Sequence, residues 1–98
     1  MIEVPEVWLA FGMCIYQDFF SVHSEFYEGI LFALEGLNNS EKHELLTFVR
    51  DTLRENPTNQ HLVDLWGKSG ASDILVSEQM KVIYEVLQSA IEASIQKE

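Results

Sequence analysis

The sequence predicts an all-α protein, a compact single-domain bundle of about five helices, from three observations. Apolar residues recur at the three- and four-residue spacing of amphipathic helices, and residues typical of caps and turns separate the apolar segments. No segment alternates apolar and polar residues for long enough to indicate a sheet. The 98 residues, 47 % of them hydrophobic, suffice for one small core, so we expect residues 1–98 to form one domain.

The first helix is predicted to start near Pro5, because proline suits the first turn of a helix. Its apolar stripe consists of Val7, Trp8, Phe11, Ile15 and Phe19. We expect it to end at about Tyr16 or Asp18, within the stretch CIYQDFFSVHSEF. The Asp18 carboxylate is then placed to accept backbone N–H groups across the bend, and the aromatic rings pack the corner before the next helix. A contact with a partner is the alternative role for Gln17 and Asp18.

The second and third helices are predicted on either side of the turn GLNNS. Ser24 is the expected N-cap of the second helix, whose apolar positions run from Phe26 to Leu34. Ser40 is expected to cap the third helix, EKHELLTFVRDTLRE, in which Arg50 and Arg54 near the C-terminal end complement the helix dipole. The segment NPTN ends this helix.

The last two helices are predicted in QHLVDLWGK and SEQMKVIYEVLQSAIEASIQK. Gly70 in the connecting KSGAS suits a left-handed helix end, DILV is expected to be briefly extended, and Ser77 is the expected N-cap of the closing helix. The side chains that we expect to be buried across the bundle are Trp8, Phe11, Leu46, Val49, Trp66, Ile83 and Leu87.

Acidic residues outnumber basic ones by 16 to 6, which gives a net charge of −10. A field of this sign repels nucleic acids and anionic membranes and attracts basic partners. Glu78, Glu85 and Glu92 recur every seven residues and line one stripe, which is either a solubilising face or a surface for a basic protein. The single cysteine, the lack of a basic residue before the N-terminal apolar segment and the lack of an apolar run of about 20 residues predict a cytoplasmic protein.

The sequence predicts no catalytic, cofactor or metal site. His23, His43 and His61 fall in separate segments, without the second ligand at helical spacing that a metal face needs, and are expected on the surface. Cys14 stands among apolar residues, where a thiol behaves as a small inert hydrophobe. The chain is therefore not expected to be an enzyme. A small hydrolase or metal protein is the less favoured alternative, and it requires measurable turnover or bound metal.

Five segments follow one another in a distinctive order: YQDFF, SEFYEGILFAL, SEKHELLTFVRDTL, NQHLVDLWGKSGA and a closing amphipathic helix with Tyr84. In this order they resemble the immunity proteins of bacterial contact-dependent growth inhibition systems, over almost the whole chain. Many members of that family show a similar step to Gln17-Asp18-Phe19, followed by a capped acidic helix and a leucine-rich third helix. The chain departs from them at Tyr16, where related sequences often have histidine, and in the link DLWGKSGASDILVS.

The resemblance implies a helical immunity-type domain that binds and neutralises the toxic C-terminal domain of a delivered effector. Such toxins are commonly nucleases, and we expect a ribonuclease whose basic active site is covered, with no cofactor, small-molecule substrate, nucleic acid or membrane bound. The partner-binding residues are expected among carboxylates on polar faces or loops, namely Glu25, Glu28, Asp73, Glu78 and Glu85. The alternative function is a small acidic helical adaptor or regulatory subunit that binds a basic host protein.

Overall fold

A computed structural model of the protein describes residues 4–72 and 76–96, and it confirms the all-α prediction. Within these ranges the chain forms six helices and no strand. Their bounds are α1 Glu6–Met13, α2 Phe19–Val22, α3 Phe26–Leu34, α4 Asn39–Arg54, α5 Asn59–Lys68 and α6 Met80–Gln96. The five predicted helices are all present, and α2 is an additional single turn.

Helix α6 is the central element, because it packs against α3, α4 and α5, while α1 packs against α4. Buried side chains from α1 to α6 form one hydrophobic cluster. The apolar stripes predicted from the sequence face this cluster: Leu46 and Leu87 are buried as expected, whereas Ile83 is half-buried at its edge. In the ranges described, no helix has both the length and the apolar character needed to cross a membrane.

Trp8 of α1 lies at the centre of the core and is completely buried. Its ring centroid lies 5.3 Å from that of Phe48 and 6.0 Å from that of Tyr84. The indole N–H donates a hydrogen bond of 2.7 Å to the Leu65 carbonyl, and the Tyr84 hydroxyl donates one of 2.8 Å to the Leu62 carbonyl. Both buried polar groups are thus satisfied by α5, which fixes α1 and α6 on the same helix.

The N-terminus of α4 differs from the prediction, because Asn38 rather than Ser40 is its cap. The Asn38 side chain accepts a hydrogen bond of 2.8 Å from the Glu41 N–H, and the Glu41 carboxylate accepts one of 2.9 Å from the Asn38 N–H. A capping box requires glutamate or glutamine three positions after the cap, and Ser40 has His43 there. Helix α4 therefore begins two residues earlier than predicted, and the turn before it is shorter by the same two residues.

The start of α6 is held by residues from two parts of the chain. The Ser77 hydroxyl accepts a hydrogen bond of 3.0 Å from the Gln79 N–H, so Ser77 caps the turn that leads into the helix rather than the helix at Met80 itself. The Asn59 amide accepts a bond of 2.8 Å from the Met80 N–H and donates one of 2.7 Å to the Ser77 carbonyl. Gly70 has the predicted left-handed conformation, with φ +77°. The extended DILV link falls mainly on residues 73–75, outside the described residues.

The bend after α1 also differs from the prediction. Helix α1 ends at Met13, and the Ile15 carbonyl accepts a hydrogen bond of 2.9 Å from the Ser72 N–H, so the chain turns early to meet the segment after α5. Asp18 has a left-handed φ of 63° and its side chain makes no capping hydrogen bond. The predicted carboxylate cap is therefore wrong. The Ser24 cap is also wrong, since Glu25 occupies the N-cap position of α3, again without a side-chain bond.

Gly12 allows α1 to cross the end of α5 at backbone contact. A Cβ atom at position 12 would lie 2.6 Å from the Ser69 carbonyl carbon and 2.9 Å from the Ser69 Cβ, and closer still to the Ser69 oxygen. These are mostly backbone atoms, which cannot move aside as a flexible side chain does. The crossing therefore excludes every side chain larger than hydrogen.

We expect Gly12→Ala to lower the free energy of unfolding by about 1–3 kcal/mol, as overpacking of a filled site does. Chemical denaturation monitored by helical circular dichroism measures the change. Gly67→Ala is the matched control, because a Cβ there meets no atom within 4 Å. The control should leave stability unchanged or raise it by up to about 1 kcal/mol, the helix-propensity gain of alanine. Equal effects at both positions would show that the crossing is not tight.

The left-handed conformation of Asp18 determines whether substitutions at this position raise or lower the free energy of unfolding. Glycine adopts this conformation without the steric cost that an L-residue bears, so Asp18→Gly should raise the free energy of unfolding, by up to about 1 kcal/mol. Asp18→Ala should lower it by a similar amount. A carboxylate that capped a helix would make both variants less stable than the wild type, and urea denaturation of the three proteins separates the two explanations.

Candidate functional site

Two of the predicted partner-binding carboxylates lie side by side at the start of α3. Glu25 precedes the helix and Glu28 lies in its first turn, both exposed to solvent. Together they line a surface pocket of about 290 Å³. Glu78 and Glu85 are also exposed, but they lie in the turn before α6 and on α6 itself, and neither lines this pocket. Asp73 lies outside the described residues.

Beside this pocket four rings form what we name the aromatic corner, consisting of Tyr16, Phe19, His23 and Phe32. Ring centroids are 5.0 Å apart for Tyr16 and Phe19, 4.5 Å for Phe19 and His23, and 4.8 Å for His23 and Phe32. Phe19 is completely buried and anchors the group in the core. Three short segments of the chain, the α1–α2 bend, α2 and α3, thus converge on one surface.

Three apolar side chains at or next to the aromatic corner are exposed to solvent. Tyr16 is 43 % exposed, Phe32 55 % and the adjoining Val22 66 %. Single exposed apolar residues are ordinary on protein surfaces, but a group of them around carboxylates resembles the anchors of protein interfaces, where tyrosine and phenylalanine are enriched. The corner therefore has the composition of a docking surface.

His23 differs from the prediction that all three histidines are on the surface. His43 and His61 are exposed, but His23 is half-buried, and its Nε2 lies 3.2 Å from the Tyr16 hydroxyl within hydrogen-bonding distance. The ring fits here because position 29 is glycine: a Cβ atom there would lie 2.8 Å from the His23 Cβ. Gly29 thus lets α3 approach α2 closely enough to complete the corner.

The charge of the chain is unevenly distributed along the sequence. Residues 1–41 contain seven acidic side chains and no lysine or arginine. The arginines come later and are engaged: Arg50 pairs with Glu92 at 2.7 Å and Arg54 with Asp51 at 3.3 Å. The heptad stripe predicted for α6 is therefore not uniform, because Glu92 already has a cationic partner while Glu85 remains exposed. The part of the chain that forms α1, α2 and α3 therefore contributes negative but no lysine or arginine charge to the surface.

Cys14 follows α1 as a half-buried thiol whose Sγ donates to the Ala10 carbonyl at 3.5 Å. Burial raises the pKa of Cys14, and the nearby Glu41 carboxylate raises it further. The thiol is therefore the dominant form near neutral pH, and the thiolate that a nucleophile or metal ligand needs is disfavoured. Among residues 4–72 and 76–96, no three His, Cys, Asp or Glu side chains converge as a metal site would require.

The carboxylates of the pocket and the rings of the aromatic corner are both kinds of group that bind cationic side chains. A guanidinium group bonds well to carboxylates such as those of Glu25 and Glu28, and its flat face stacks on rings such as Tyr16 and Phe32. The sequence analysis proposed the two carboxylates as binding residues and placed the aromatic residues near Asp18 in the packed corner, but it did not predict the exposure of Tyr16, Val22 and Phe32. The only sequence signal for them was position: Val22 and Phe32 fall off the periodic stripes that face the core.

Comparison with known proteins found no matching protein-family model, no similar curated protein and no similar solved structure.

The raised pKa of Cys14 predicts a slow thiol. We expect Cys14 in the folded protein to react with an uncharged alkylating reagent more slowly than a free cysteine at pH 8, and the rate to keep rising above the usual thiol pKa of about 8.5. Glu41→Gln should shift the midpoint of this profile to lower pH, because it removes the negative charge that raises the Cys14 pKa. Glutamine can still form the capping box at the start of α4. A midpoint at or below the usual value would show that burial does not control the thiol.

Proposed function

We propose that this protein is an immunity protein of a contact-dependent growth inhibition system. It binds the C-terminal toxin domain of a cognate effector, a basic ribonuclease, and covers its active site. The resemblance described above suggests this class of protein, and the aromatic corner with Glu25 and Glu28 is the observation that supports it. Exposed apolar side chains together with exposed carboxylates, in a part of the chain without lysine or arginine, suit a partner with a positively charged surface.

The proposed mechanism is competition by charge. A ribonuclease must present cationic groups to hold the phosphates of its substrate, so carboxylates placed in the same site attract the same groups and exclude RNA. Glu25 and Glu28 supply this charge, and Phe32 and Tyr16 supply apolar contact that does not depend on salt. Long-range attraction from the acidic chain accelerates association, while the aromatic contacts slow dissociation. The inhibitor acts where the toxin meets RNA, in the cytoplasm, and needs no turnover.

The proposal is tested with the toxin domain encoded beside this protein's gene, using ribonuclease activity and binding kinetics as readouts. Glu25→Lys with Glu28→Lys should slow association about tenfold or more at low salt, since steering depends on these charges. Phe32→Ala should accelerate dissociation by about tenfold, the effect of losing roughly 1.4 kcal/mol of contact. Both variants should retain the helical spectrum of the wild type, because all three side chains are exposed.

Matched controls separate local from general effects. Glu55→Lys with Asp64→Lys changes the net charge equally at other exposed positions, and Val82→Ala removes a half-exposed apolar side chain from α6. These controls should change binding far less than the corner variants. Reversal of Glu78 with Glu85 then shows whether the surface at the start of α6 contributes to the same interface.

The outcomes distinguish the functions. Wild-type protein that neither binds nor inhibits the neighbouring toxin contradicts the immunity function and favours the adaptor, whose basic host partner would then be sought. Wild-type binding that survives every corner variant keeps the function but moves the interface away from Glu25, Glu28 and Phe32.

A further inference from the structure

A second surface, on the opposite side of the α1 backbone from the buried Trp8, carries a separate inference. It is a groove of about 470 Å³ between α1 and α4, which we name the α1–α4 groove. We call the apolar residues of α1 that line it its floor and the three glutamates that line it its rim: the floor is Val7, Leu9, Ala10 and Met13, and the rim is Glu6 of α1 with Glu41 and Glu44 of α4. Neither Glu25 nor Glu28 lines it, so it is distinct from the aromatic corner.

The groove exposes a helix face that normally would be covered. Every residue of α1 after Glu6 is apolar or glycine, and a helix that is apolar all round is typical of a protein interior. Here the face with Trp8 and Phe11 is buried, but Leu9 is 42 % exposed and Met13 is 83 % exposed. Methionine is flexible and polarizable, and it is common at surfaces that adapt to a partner.

The acidic rim determines what kind of partner fits. Glu6 and Glu44 are exposed, and Glu41 carries its charge in the capping box of α4. An anionic membrane surface is repelled by these carboxylates. A second copy of the chain, joined by a two-fold axis, would bring the same acidic rim against itself, which like charges disfavour. An apolar segment with basic residues on both flanks can contact the apolar floor and pair with the glutamates of the rim at the same time.

We propose that the α1–α4 groove binds a basic amphipathic helix of the toxin partner, in addition to the contact at the aromatic corner. The eight residues of α1 span about 12 Å, enough to lie beside about two turns of such a helix. Apolar residues of the bound helix contact Leu9 and Met13, and flanking lysines or arginines face Glu6 and Glu44, as in helix-in-groove recognition. This inference rests on the proposed function for the identity of the partner, but not for the chemistry of the groove.

The methionine methyl groups provide a direct probe. In protein labelled with ¹³C at the methionine methyls, Met13 reports on the groove, and the completely buried Met80 serves as an internal control. Met13→Leu assigns the signal. A peptide of about 18 leucine and lysine residues, long enough for partial helicity in water, is added with its leucines at three- and four-residue spacing. A scrambled peptide of equal composition is the matched control.

We expect the amphipathic peptide to shift the Met13 signal at lower concentration than the scrambled peptide, and Met80 to change little. Leu9→Gln with Met13→Gln should weaken binding of the neighbouring toxin domain about tenfold or more, because the floor becomes polar while helix propensity is kept. Glu6→Gln with Glu44→Gln should reduce the salt dependence of that binding. Val82→Gln is the control for an apolar-to-polar change elsewhere.

Three results would overturn the inference about the groove, and each can be told apart from a failure of the proposed function. Equal shifts with both peptides show that charge alone attracts them. Toxin that binds wild type and the groove-floor variant equally, without a shift of Met13, leaves the immunity function standing and removes the groove from the interface. A Met13 shift that grows with the concentration of this protein alone identifies the groove as a contact between copies. Failure of the wild type to bind the toxin instead contradicts the proposed function, and with it the assignment of the groove's partner.

Discussion

The hydrogen bond from the Trp8 indole to the Leu65 carbonyl is the constraint on which the rest of the structure depends. Leu65 lies in the last turn of α5, where backbone carbonyls lack partners within the helix, and the Ser69 N–H instead bonds to the Trp66 carbonyl at 3.0 Å. Trp8 thus completes α5 while filling the space between α4, α5 and α6. Because the indole leaves α1 no freedom to rotate, it also decides which face of α1 meets solvent.

The parts of the fold that the sequence predicted depend on contacts between residues close in sequence. The long helices α4 and α6 follow from uninterrupted apolar periods, so their buried residues were predictable. The α4 cap was misplaced although Asn38 and Glu41, three residues apart, decide it, whereas the errors at the end of α1 and at the start of α6 involve distant residues. Helix α1 stops early because Ile15 meets Ser72, and α6 begins at Met80 because Asn59, 21 positions earlier, accepts its N–H group. No pattern within a single segment contains that information.

The candidate site likewise has a part that local sequence predicts and a part that only the folded chain brings together. Residues three apart at a helix start share a surface, so the proximity of Glu25 and Glu28 follows from helix geometry alone. The association of Tyr16 with His23 and Phe32 requires the left-handed turn at Asp18 and the absence of a side chain at Gly29. Both conditions are properties of the folded chain. The sequence therefore predicted the charge of the surface, while its apolar component became visible only in three dimensions.

The two faces of α1 separate positions on which folding stability depends strongly from positions on which it depends little. Trp8 and Phe11 are fully buried, whereas Leu9 and Met13, within the same two turns, contact solvent. Substitutions at exposed positions usually change folding stability little, so mutations at 9 and 13 can accumulate in a lineage without loss of the folded protein. One face of this short helix can therefore change the chemistry of the protein surface while the other face keeps the fold.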